Sequence, residues 1–71
     1  KAIQQYQQIL EQGYVSGNIY YNLGNCYYKK GDYPRALLYY ERAKRLIPHD
    51  ADLASNYQFV SSLVKSSYRK P

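Results

Sequence analysis

Residues 20–27 read Tyr20-Tyr21-Asn22-Leu23-Gly24-Asn25-Cys26-Tyr27, and residues 36–43 read Ala36-Leu37-Leu38-Tyr39-Tyr40-Glu41-Arg42-Ala43. Between them lie Gly31, Asp32 and Pro34, and Pro48 follows. In the first stretch Tyr20, Leu23, Gly24, Tyr27 and Tyr28 recur at intervals of three and four, which puts them on one face of a helix. Ser16 is suited to cap that helix, which is predicted to run through Lys30 and to break at Gly31. Asp32 can cap the next one, with Pro34 in its first turn, where a missing N–H is no loss and the fixed φ is already helical. This helix is predicted to reach about Leu46 before Pro48 ends it. Small Gly24 and Ala36 allow the two helices a close approach, and Tyr20, Leu23, Tyr27 and Tyr40 fill the space around it.

Working outward, residues 2–12 place Ile3, Tyr6, Ile9 and Leu10 on one stripe, stopped by Gly13. Beyond Pro48, Asp50 can cap a fourth helix whose stripe is Leu53, Tyr57, Val60 and Val64, with a frayed tail from Ser66 to Pro71. No stretch alternates with the two-residue period of a strand, so the fold class is all-α with about four helices. A shift of 34 residues lays Ala2, Ile3 and Tyr6 on Ala36, Leu37 and Tyr40. A fixed period of this kind marks a solenoid.

The pattern Tyr20-x-x-Leu23-Gly24-x-x-Tyr27, Ala36-x-x-x-Tyr40-x-x-Ala43, Pro48 resembles the tetratricopeptide repeat, with Tyr20 where that family often has Trp. The resemblance implies a fragment of a solenoid of antiparallel helix-turn-helix units. Residues 17–50 would be one complete repeat, 1–16 the second helix of a preceding one, and 51–71 a capping helix with a basic tail. Gln58 and Ser61 stand one period after Gly24 and Tyr27, as suits a helix with no partner behind it. Ile9 takes the place of Ala43 and Tyr14 that of Pro48, so the first half-repeat is expected to be less regular. The runs Asn18 to Asn25, Gly31 to Tyr33 and Ala51 to Asn56 also resemble the repeats of bacterial aerotolerance-operon proteins of the Bat type. That likeness would imply a bacterial cell-envelope protein whose membrane segments lie elsewhere in a longer chain.

Bulk properties narrow the function. Seventy-one residues make one small domain with a thin core, and an opening at Lys1 with a helix already under way suggests a piece of a longer protein. Eleven tyrosines, one Phe and no Trp suit helices packed along the ring with a wet hydroxyl. One cysteine, Cys26, and one histidine, His49, make no disulfide framework and no metal-ligand set. No apolar run approaches the roughly 18 residues of a membrane span, and no charged-then-apolar leader precedes the first helix.

In the family that the repeat resembles, the first helix of each pair lines a concave groove. The resemblance therefore implies a peptide-binding strip of Asn18, Tyr21, Asn22, Asn25, Tyr28 and Lys29, joined by Ser55, Phe59 and Ser62. Amides would meet a peptide backbone and tyrosine rings its apolar side chains. Asn22, Asn25 and Lys29 also suggest a clamp for a terminal carboxylate, but Asp52 and Asn56 stand where further cations would be needed. The net charge of +5 raises a second reading, a basic surface of Arg35, Arg42, Arg45 and the Lys65 to Lys70 tail for an anionic membrane or nucleic acid. Those arginines, with Lys44, fall on the outer face of the second helix, where a solvated surface is the plainer expectation. Nucleic acid is therefore the less favoured partner, and a membrane is expected only through other parts of a parent. Cys26 lacks an activating neighbour in sequence and reads as structural. No paired acids, phosphate loop or catalytic set is visible, so the expectation is a protein-interaction scaffold, not an enzyme, without cofactors. With Ile3, Tyr6, Ile9 and Leu10 lacking a partner helix, self-association into a homo-oligomer is a further expectation.

Overall fold

The computed structural model describes residues 2–13 and 15–68, excluding the side chains of residues 67 and 68. Four helices follow one another: α1 (Ala2–Glu11), α2 (Gly17–Lys30), α3 (Tyr33–Leu46) and α4 (Ala51–Tyr68). No strand occurs among the described residues. The basic end, Arg69 and Lys70, and the Tyr14 substitution lie outside them. The helix α4 continues through Ser66 to Tyr68, where the sequence suggested fraying.

Each boundary has a local cause. Ser16 Oγ accepts the Ile19 N–H at the start of α2, and Asp50 Oδ1 accepts the Leu53 N–H at 2.9 Å at the start of α4. The end of α2 needs a left-handed residue. Gly31 takes φ 83°, its N–H bonds the Tyr28 carbonyl, and the Asp32 N–H bonds that of Tyr27. These two reversed bonds make a Schellman stop. Asp32 then accepts the Arg35 N–H, so one tight corner ends α2 and opens α3.

The helices α2 and α3 form the central antiparallel pair, α4 packs on α3, and α1 packs on α2. The core is small: Leu23 and Tyr27 from α2, Ala36, Tyr40 and Ala43 from α3, Leu53 and Val60 from α4. Gly24 permits the central contact, because a Cβ there would lie 2.5 Å from ring carbons of Tyr40 and 3.2 Å from the Ala36 carbonyl. The helix α1 contributes no fully buried residue. It is held by the partly buried Ile3, Tyr6 and Leu10 and by the Gln7 amide donating to the Tyr27 hydroxyl at 3.3 Å.

Candidate functional site

Residues 21, 25 and 28 of α2 lie at intervals of four and three, on one face of the helix. Opposite them α4 presents Asn56 and Phe59. Tyr28 meets the Phe59 ring edge-on, with centroids 6.1 Å apart, a geometry that aligns the positive edge of one ring with the negative face of the other. Phe59 nevertheless keeps 55% of its surface exposed. The first residues of the strip are tied more tightly. Asn56 Nδ2 donates to the Tyr21 hydroxyl at 3.0 Å and to Asn25 Oδ1 at 3.2 Å, and the Tyr40 hydroxyl donates to the same Asn25 oxygen.

This network spans α2, α3 and α4. With Asn25 Oδ1 accepting twice, the other end of its amide is a donor that no described residue takes up. Burial pushes the Tyr40 hydroxyl up to about 12, with the neighbouring Tyr21 hydroxyl adding to the rise. The neutral phenol is therefore the folded form, and stability tied to it is complete below about pH 10, the ordinary value, and is lost as pH rises towards 12. That loss is on the order of 2 kcal/mol. Urea midpoints measured from pH 9 to 12 should fall over this window, and the fall should be smaller in Tyr40→Phe. The remaining slope would include Tyr57, which burial and its bond to Glu41 also raise.

Asn18 stands three residues before Tyr21, and Ser55 and Ser62 stand four before and three after Phe59, so they share those helix faces; all three are exposed, and Asn22 is half-buried. Lys29 stands beside Ala2, Ile3 and Gln4 of α1, where it lines an opening with Cys26 and Lys30. It therefore borders the α1 side of α2. Asn56 is the residue that sequence reading undervalued. Its period-34 match to Asn22 was available as a signal, but not its choice of partners.

The outer cations are more ordered than a plain solvated face would be. Tyr39 stacks between Tyr20, at 6.1 Å, and Tyr27, at 5.4 Å. Arg42 lies over the rings of Tyr20 and Tyr39, and Lys30 and Arg35 lie over Tyr27. Each such contact contributes roughly 0.5–1 kcal/mol at an exposed site. Tyrosines interleave with the basic residues on this outer face, where they are engaged with one another.

Residues 17–50 match the family model of the tetratricopeptide repeat. The match starts at the first residue of α2 and ends just before α4, so the stretch that is similar to that family is the hairpin of α2 with α3. No curated protein and no solved structure was found to match the chain. Tetratricopeptide repeats are a non-catalytic fold that generally mediates contacts between proteins. Among the described residues, no three His, Cys, Asp or Glu side chains come together to hold a metal ion, and no helix is long and apolar enough to cross a membrane.

Proposed function

We propose that the chain is a protein-interaction scaffold that holds a peptide segment of a partner against the strip between α2 and α4. The observation that carries this reading is the Tyr28 and Phe59 pair, two rings from different helices in contact with each other, one of them more than half exposed. Beside it stands the Asn25 amide with its donors uncommitted and its orientation fixed by Tyr40 and Asn56. A peptide laid along the strip would give a carbonyl to Asn25 and an apolar side chain to the rings. Preset donors and rings cost little ordering on binding. On this reading α4 also closes the stack: Ala54, Gln58 and Lys65 are exposed, so the helix shows water a face that could not bury another helix.

The test is retention of proteins from the source cell by wild type and by a Tyr28→Ala, Phe59→Ala variant whose helicity is unchanged. Partners held by wild type at both low and high salt are expected to be lost by the variant. Equal retention by the folded variant would remove the strip as the site. Asn25 is left intact in this design because its loss would strand the buried Tyr40 hydroxyl.

A further inference from the structure

The side of α3 turned away from α4 carries a feature that the peptide strip does not use. Val15, in the connection before α2, is 68% exposed, and Leu46, at the end of α3, is 45% exposed. With Tyr20, Arg42 and Arg45 they line a cleft of about 260 Å³. That is below the roughly 300 to 1,000 Å³ of sites that enclose a whole small molecule, and it is the scale of a single side chain.

The charged residues that line the cleft, Arg42 and Arg45, are of one sign. Glu41, the only acid in α3, is on the α4 flank, where it accepts from the Tyr57 hydroxyl, and Lys44 lies there too, 4.2 Å from the Tyr57 ring centroid. Arg42 and Arg45 are left to border the apolar floor. Arg42 is braced over the Tyr20 and Tyr39 rings, so its planar fork is held in place before any ligand arrives. Val15 precedes the Ser16 cap and Tyr20 is four residues into the helix, the pairing of a hydrophobic staple. That staple explains why Val15 is near Tyr20, but it leaves most of the valine uncovered.

We propose that this cleft is a second docking site, for an acidic segment of a partner protein that presents one bulky apolar side chain between carboxylates. The side chain rests on Val15, Leu46 and the Tyr20 ring, and the flanking carboxylates take charge-assisted hydrogen bonds from Arg42 and Arg45. A nucleic acid has anionic groups for the arginines but no aliphatic group for Val15 and Leu46. A membrane surface calls for an apolar helix face several turns long, and the outer side of α3 alternates Leu38 and Leu46 with arginines instead.

The probe is the pentapeptide acetyl-Asp-Glu-Phe-Glu-Asp-amide, titrated into the isotopically labelled chain while backbone amide resonances are followed. Two control peptides carry serine for the phenylalanine, or the neutral amides for all four acids. Saturable shifts are expected at Val15, Arg42, Arg45 and Leu46, with binding at least about fivefold weaker for either control and for Val15→Ser or Arg45→Gln. Both substituted side chains are exposed, so the variant spectra themselves report an intact fold. The Tyr28→Ala, Phe59→Ala variant should bind the probe as wild type does, which separates this site from the strip. Absence of saturation, equal binding of the serine control, or shifts centred on Tyr28 and Phe59 would overturn the proposal. So would phosphatidylserine vesicles or oligothymidylate moving the Arg42 and Arg45 resonances where the peptide does not.

Discussion

Tyr40→Ala should remove about 3–5 kcal/mol of folding free energy, as aromatic truncations in cores do. The ring has no exposed surface and is the largest fully buried side chain of the chain's described core. It fills the space over Gly24, packs against Tyr21 with centroids 6.0 Å apart, and carries the hydroxyl that bonds Asn25. Truncation leaves a cavity where α2 and α3 cross and takes one of two donors from Asn25 Oδ1. A domain of this size has only a few kcal/mol in hand, so the loss approaches the whole of it. Urea unfolding followed by far-ultraviolet circular dichroism measures it, with Tyr40→Phe as the comparison that loses the hydroxyl alone, about 1 kcal/mol. A loss below about 1 kcal/mol in the alanine variant would mean that the core is not organised around this ring.

Gly24→Ala should destabilise by about 1–3 kcal/mol through overpacking, even though alanine is the better helix former by roughly 1 kcal/mol. The added carbon would sit 2.5 Å from two ring atoms of Tyr40, and the Ala36 carbonyl at 3.2 Å is backbone that cannot swing aside. The size of the cost should depend on Tyr40. In a Tyr40→Ala background the ring is gone, the clash with it disappears, and the same glycine substitution should cost much less, with only the Ala36 carbonyl contact left to oppose it. A double-mutant cycle reads this coupling directly. Additive effects of the two substitutions would show that Gly24 is retained for some reason other than the approach of the ring. If Tyr40→Ala is too unstable to measure alone, osmolyte-stabilised unfolding curves for all four proteins keep the cycle readable.

The close approach of Gly24 to α3 was legible because it needs only two small residues on facing stripes, Gly24 and Ala36. The caps at Ser16, Asp32 and Asp50 were legible for a related reason, since each acts within three residues of itself. Contacts across long stretches of chain were not. Asn25 and Asn56 are 31 residues apart, and periodicity gives the face of each helix without saying which amide atom meets which. Tyr39 falls outside the buried stripe of α3, so its stack with Tyr20 and Tyr27 depends on the crossing of the two helices. The repeat places Lys29 on the strip, and in the fold it also borders Ala2, Ile3 and Gln4 of α1. The candidate strip is therefore legible as a face, through Tyr21, Asn25, Tyr28 and Phe59, but its internal bonding is not.

The 34-residue phase also separates growth from termination. Asp50 and Ala51 stand one period after Ser16 and Gly17, each pair a capping residue followed by the first residue of a helix. The junction at residue 50 is thus in register with the junction at residue 16, and a duplicate of residues 17–50 placed there would meet compatible seams on both sides. On the proposed reading of α4 as a closing helix, its exposed Gln58 and Lys65 would have to be desolvated by any helix packed against that face. In one-dimensional terms, that reading favours lengthening of the array by insertion at residue 50.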